Sequence, residues 1–407
     1  MSNKEERKAP VLRFKGFTDD WEQRKLKNIA IISDGIHQTP NYVNKGIMFL
    51  SVENILNLKS KKYITSQDFE NNYKTKPLFH DIFMTRIGSV GVTNILETNK
   101  PIAFYVSLAL IHPQHVSAYY LNYLLKSPSS QKEIWKRTLH IAFPKKINKD
   151  EIGKINIKVS QNKQEQIKIG NLLKKMEKFI SLQQRKLNEL KEVKKTLLSQ
   201  LFPSKGQYRP IIRFKKFTNK WTKRKLGNIA KIIGGGTPST SNHDYWNGNI
   251  NWYSPTEIGN NIFVNSSNKK ISIKGLNNSS AKLLPGGKTI LFTSRAGIGN
   301  MAIMLTDGCT NQGFQSWVID DTKIDIYFLY SLGRLLKHDA IRQASGSTFL
   351  EISNKEVKKL LLEIPSFTEQ KLIGNMLRKI DDDIVRQKER IILITKIKKN
   401  LLQKLFV

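Results

Sequence analysis

The sequence predicts an α+β protein made of two similar mixed α/β domains, each followed by a long helix. Three observations carry this. Two stretches of the chain recur at an offset of 200 or 204 residues, a 3-4 apolar stepping closes both copies, and short β-rich runs sit among Gly, Asn and Ser clusters inside each copy. A period this long is not a solenoid, whose repeats run to about 20–50 residues; it describes two domains of one kind.

Taken in chain order, residues 10–30 form an entry block that returns as residues 210–230 with 13 of 21 positions identical. The middle segments, about 31–160 and 231–364, diverge strongly. They read as strands such as residues 288–293, separated by Gly- and Asn-rich turns such as residues 234–240 and 277–280. A second repeated block, residues 165–202, returns as 369–406. The expected domains are therefore 10–160 and 210–364, with helical segments at 161–209 and 365–407.

The repeated helix is the most legible element. From Leu173 the apolar positions step 3, 4, 3, 4 through Met176, Ile180, Gln183, Leu187, Leu190, Lys194, Leu197 and Leu201, with no Pro or Gly between. The second copy steps identically through Leu377, Ile380, Ile384, Gln387, Ile391, Ile394, Lys398, Leu401 and Leu405. This is a heptad seam, and polar seam residues recurring at matching places are devices that fix register and partner. The short link of residues 203–209 makes pairing of the two helices sterically easy. A helix of 38 residues spans roughly 55 Å at about 1.5 Å per residue, between one and two turns of duplex DNA.

Charge points to the partner. The chain of 407 residues has 68 Lys and Arg against 33 Asp and Glu, a formal net charge of +35. It divides evenly, 35 − 18 = +17 for residues 1–200 and 33 − 15 = +18 for residues 201–407. The aromatic content, 19 Phe, 12 Tyr and 6 Trp, excludes a disordered polycation. A folded, strongly basic protein favours a polyanionic partner, nucleic acid first and an anionic membrane surface second. The single cysteine excludes an internal disulfide framework and a Cys-cluster zinc site, which fits a reducing cytoplasm. The longest apolar stretch, residues 102–111, is far short of the roughly 20 needed to span a bilayer, and the charged N-terminus lacks the apolar core of a signal peptide.

Catalytic signals fail one by one. The string at Gly286, Gly287, Lys288 and Thr289 lacks the first glycine of a phosphate loop and precedes a strand. The string from Gly297 to Ala302 has no helix after it, as a dinucleotide turn needs. The seven histidines show no metal spacing beyond His112 and His115, where the intervening Pro113 opposes a shared helix face, and no Asn- or Asp-Pro-Pro-Tyr box is present to hold a base for methylation. What recurs is donor-rich: an apolar strand followed by Thr85, Arg86, Ile87 and Gly88 in the first copy, matched to Ser294, Arg295, Ala296 and Gly297 in the second. A hydroxyl, a guanidinium and a glycine at a strand end suit phosphate or guanine contact; a structural turn with an exposed Arg is the alternative. Further candidates are Thr237, Ser239 and Thr240, the equivalent His37, Gln38, Thr39 and Asn41, the basic ridge Lys145 and Lys146 with Lys149, and Ser347 and Thr348.

Together these motifs resemble the specificity (S) subunit of bacterial type I restriction-modification enzymes. The likeness rests on the repeated Phe-Thr-x-x-Trp entry, Gly235-Gly236-Thr237-Pro238-Ser239, Thr293-Ser294-Arg295-Ala296-Gly297-Ile298-Gly299 and Thr310-Asn311-Gln312-Gly313-Phe314. It rests also on Ser345-Gly346-Ser347-Thr348-Phe349, Glu369-Gln370 and the Leu-Leu-x-x-Leu-Phe helix end. It implies two target recognition domains reading a bipartite site, with Asn311 and Gln312 among the DNA contacts, and an intramolecular antiparallel coiled coil as spacer. It implies no catalysis and no cofactor on this chain, with two methyltransferase subunits using S-adenosylmethionine and restriction subunits using ATP and Mg as partners. A self-contained DNA methyltransferase or nuclease, and an architectural DNA-bridging protein, are the competing readings.

Overall fold

The computed structural model describes residues 9–204, 206–295, 297–346 and 350–407. The chain forms two compact units, Met1–Arg185 with Glu389–Val407, and Lys186–Lys388. Each of the two long helices, Lys163–Gln200 and Phe367–Lys404, begins in one unit and ends in the other.

Within the first unit, the entry strand Glu22–Lys25 pairs antiparallel with Asn156–Val159, so the start and end of the domain are stitched together. A four-stranded antiparallel sheet follows in the spatial order Ala30–Asp34, Leu108–Pro113, Ile82–Thr85, Thr93–Ile95. A three-stranded sheet places Ile47–Leu50 between Tyr63–Ile64 and Ile102–Phe104. Ile82–Thr85 is buried on both faces, its alternate residues feeding two cores: Ile82 and Met84 face the core that includes Tyr120 and Leu124, and Phe83 faces the one around Phe104. That is why it reads as a continuous apolar run instead of an alternating one.

The second unit repeats this plan. Thr222–Lys225 pairs with Leu361–Ile364. Ala230–Gly234, Gln315–Ile319, Thr289–Phe292 and Met301–Met304 form the equivalent sheet, extended by the parallel strand Phe263–Val264. Trp246–Tyr253 lies between Lys269–Ile271 and Gly308–Thr310. The shared scaffold explains why the entry and exit blocks are conserved between copies while the strands' connections differ.

The helices pair antiparallel inside each unit. In the first, Leu401 packs in the same core as Leu173, and Lys398 reaches Glu177. In the second, Leu197 packs in the same core as Leu377, and Lys194 reaches Asp381. Every seam position from Leu173 to Leu201 and from Leu377 to Leu405 is buried or half-buried. The helix of each copy therefore ends in the domain of the other. Phe406 sits edge-on to Trp21 at 6.2 Å and beside Tyr120, and Phe202 meets Trp221 at 6.2 Å and Phe328 at 5.5 Å. The backbone closes the exchange, since Leu12 donates to the carbonyl of Lys404 at 2.9 Å and Ile212 to that of Gln200 at 3.0 Å.

The repeated Glu-Gln dipeptide is the anchor at each helix start. The Arg13 guanidinium forks onto buried Glu165 at 2.6 and 3.0 Å, and Arg213 onto Glu369 at 2.7 and 2.8 Å. Gln166 accepts from Ser117 N–H and Gln370 from Asp325 N–H, each tying the long helix to the start of a shorter one. Among the described residues, no helix is long and apolar enough to cross a membrane.

Candidate nucleic-acid interface

In the second unit the candidate residues gather at one end of the larger sheet. The backbone of Gly236 donates to Thr310 carbonyl at 2.8 Å, laying residues 235–241 against residues 310–313. A side chain on Gly235 would overlap the carbonyl oxygens of Asn311 and Thr310, and one on Gly236 would overlap Ser280, so the two glycines are required for this approach. The Thr237 hydroxyl donates to Gln312 at 2.5 Å, while Asn311 accepts from Gly313 N–H at 2.8 Å and shapes the turn that presents Gln312. Ser239 and Thr240 are exposed; Ser239 is held by Ser241 at 2.7 Å and by Trp246, whose indole donates to its carbonyl at 3.0 Å.

The strand Thr289–Phe292 delivers Thr293 to Arg295 to the same end. Ser294 N–H donates to the Gly313 carbonyl at 2.8 Å, and Ile352 N–H donates to the Ser294 carbonyl at 3.2 Å, so Ser294 joins Gly313 to Ile352. Arg295 and Gly297 are exposed, and the guanidinium pairs with Glu351 at 2.8 Å. Ser294 is buried, its hydroxyl turned away from solvent. Ser347 and Thr348 lie outside the described residues.

The first unit corrects the register expected from sequence. Thr85 exchanges hydrogen bonds with Val92, donates its hydroxyl to Ser89 and accepts from Val92 N–H at 3.0 Å. It is Thr293, not Ser294, that repeats this pattern, with Gly297 and Asn300. Arg86 is thus the counterpart of Ser294, since Arg86 N–H donates to Ser107 carbonyl at 2.9 Å and its carbonyl accepts from Ile147. Ile87, not Arg86, is the counterpart of Arg295. The consequence is chemical: Arg86 is 9% exposed, paired with Asp34 and bonded to the Ile147 carbonyl at 3.2 Å. Its Nε and Nη1 groups are engaged by Ile147, Asp34 and Val106 within the domain, and Thr85 is fully buried beside it. Gly234 occupies the place of Asp34 in the second unit, so acid and arginine are replaced together by glycine and serine.

The other first-unit candidates are solvent-facing. His37, Gln38, Thr39 and Asn41 are exposed along a polar groove of about 680 Å³, opposite Asn72, Lys74 and Lys149. Lys145 and Lys146 are exposed on the adjoining hairpin, which Gly88 anchors by donating to the Lys145 carbonyl at 2.8 Å. The groove wall from residues 68–75 gave no sequence signal, because the helix Ser66–Asn72 shares no residue pattern with its topological counterpart Ile273–Asn277 in the other copy.

Burial also produces two matched polar clusters on the helix seam. Lys194 pairs with Asp381, which accepts from the Tyr327 hydroxyl at 2.7 Å; Lys398 pairs with Glu177, which accepts from Tyr123 at 2.7 Å. Burial, reinforced by the adjacent carboxylate, pushes both phenols well above the usual tyrosine range. Burial lowers Lys194 despite its partner, and the lysines around Glu177 hold its carboxyl below the usual range against the opposing effect of burial.

A family described as the type I restriction modification DNA specificity domain matches residues 218–395. Over 195 residues the chain is 32% identical to the type I restriction enzyme MjaIX specificity subunit of Methanocaldococcus jannaschii, a match covering 47% of this chain and 45% of that protein. A chain of the same organism named for the MjaX specificity subunit is 25% identical over 395 residues, 91% of this chain and 89% of the relative. Among solved structures, the type I restriction-modification S subunit from M. genitalium superposes with a TM-score of 0.65 at 16% identity, covering 98% and 99% of the two chains.

Proposed function

We propose that the chain is a specificity subunit of a type I restriction-modification enzyme and that it reads a bipartite duplex site, one domain to each half. Residues 10–160 and 210–364 are the two target recognition domains, and 161–209 and 365–407 the spacer helices. The chain is non-catalytic. It docks two methyltransferase subunits, which use S-adenosylmethionine, and restriction subunits, which use ATP and Mg.

One observation carries this reading. The same scaffold presents unlike polar sets at the same strand ends, His37, Gln38, Thr39 and Asn41 in one unit and Thr237, Ser239, Thr240 and Gln312 in the other. Shared backbone with exchanged donors and acceptors is what two different base sequences require. The matched charges of +17 and +18 supply salt-dependent affinity to both halves alike.

The test is selection from a random duplex library by the full chain assembled with its methyltransferase partners. An enriched motif of two unlike parts with a constant gap is expected, and a heptad inserted in both helices changes the gap or abolishes assembly. Sequence-independent binding, or methyl transfer or cleavage by the isolated chain, contradicts it.

A further inference from the structure

The hairpin of the first unit that follows the helix Pro128–Arg137 ends in an apolar tip. Its base is firmly held. Leu139 and Lys146 exchange backbone bonds, Ile147 is buried, and Ile147 N–H donates to the carbonyl of Arg86, whose side chain is fixed by Asp34 on the groove wall. Its tip, by contrast, carries Ile141 at 99% and Phe143 at 103% exposure. Single apolar residues on a surface are ordinary; two with nearly their whole area in water, on one anchored turn, leave a wedge without a seat.

The surroundings identify the seat. Lys145 and Lys146 flank the tip and Lys149 lies just beyond it, and among the described residues none of the three forms an ion pair. Nearby Glu151 is already engaged by Lys154 at 2.7 Å and by Arg137 at 3.4 Å, leaving Asp150 as the remaining neighbouring acid. At the hairpin base, half-exposed Trp135 has the His140 ring at 3.8 Å and the Lys145 ammonium at 5.1 Å from its centroid. Unpaired cations around an apolar wedge match a partner that is anionic outside and stacked and apolar inside, which is duplex DNA. An apolar protein surface would leave those three charges without a role.

We propose that Phe143, backed by Ile141, inserts between neighbouring base pairs of the half-site read by the first unit, while Lys145, Lys146 and Lys149 hold the flanking phosphates. The first half-site is then chosen partly by how easily one base step unstacks, and not only by hydrogen bonds from the groove. This rests on the DNA-reading function above.

The experiment uses the full chain with its methyltransferase partners and the duplex recovered by selection, carrying 2-aminopurine at successive positions. Wild type raises the fluorescence at one step of the first half-site. Phe143→Ala abolishes that rise and weakens binding about 10- to 100-fold, as expected for loss of one stacked aromatic, whereas Phe143→Trp retains both. A rise that survives Phe143→Ala, or unchanged affinity in that variant, overturns the proposal, as does loss of assembly with the partners, which would make the tip a protein contact. Failure of wild type to select any duplex motif defeats the DNA-reading function instead.

Discussion

Replacing Lys194 by Met should open the helix pair of the second unit locally while leaving the chain folded. Lys194 and Asp381 are 13% and 7% exposed at their side chains, so the pair is largely out of water. Removing one member of a buried pair typically costs about 3–5 kcal/mol, because the survivor stays desolvated. Asp381 keeps its bond from Tyr327 at 2.7 Å, and Lys194 keeps some solvent, so the expected cost here is smaller, about 2–3 kcal/mol. With two units in the chain a single unfolding midpoint is not a well-defined quantity. Native-state hydrogen exchange is the suitable assay, with amides of residues 186–200 and 367–388 losing about 30- to 150-fold protection. The amides around Glu177 and Lys398 serve as the internal reference. The double variant Lys194→Met/Asp381→Asn should recover most of the loss, since it removes both charges while keeping an acceptor for the buried Tyr327 hydroxyl. Wild-type protection in Lys194→Met, or a double variant worse than either single one, would refute the reasoning.

The corrected strand register separates the two arginines. Arg86→Ala should destabilise the first unit by about 2–4 kcal/mol, leaving Asp34 unpaired, whereas Arg295→Ala should change stability by less than about 0.5 kcal/mol and weaken DNA binding about tenfold; equal effects on both properties would restore the sequence-based pairing. Gly235→Ala forces a methyl group into the carbonyl of Asn311, so native-state hydrogen exchange in the second unit should show a loss of about 1–3 kcal/mol and library selection should lose information in one half of the motif only. Tyr123 and Tyr327 keep their protons in the folded state at pH values where the unfolded chain releases them. The native state therefore binds more protons above about pH 10, and stability falls as pH rises through that region. An ultraviolet titration should show their ionisation only together with unfolding, and tyrosinate absorbance from them in the folded chain would contradict this.

The long-range plan was legible because duplication and heptad stepping are local patterns that need no partner to be recognised. The positions of Lys194 and Lys398 on the seam were legible for the same reason. Their purpose was not, since Asp381 and Glu177 stand opposite only once the helices run antiparallel, and Tyr327 and Tyr123 belong to other elements. The match of Thr85-Arg86-Ile87-Gly88 to Ser294-Arg295-Ala296-Gly297 failed by one residue because shared Arg and Gly outweighed Thr, whereas the fold keeps the threonine hydroxyl that closes the turn. Phe143 escaped notice because an aromatic beside a proline reads as core until its exposure is known. Glu165 and Glu369 were visible as a repeat, yet their bonds to Arg13 and Arg213 cross about 150 residues of chain that no local pattern spans.

The most direct test of one domain per half-site is modified-base mapping of genomic DNA from cells carrying this chain and its partner subunits. The map is compared with that from cells in which His37, Gln38, Thr39 and Asn41 are replaced together. The expected result is a two-part methylation motif whose first part alone changes, with the second part and the gap unaltered. Simultaneous change of both parts, or methylation unaffected by the presence of the chain, would contradict it.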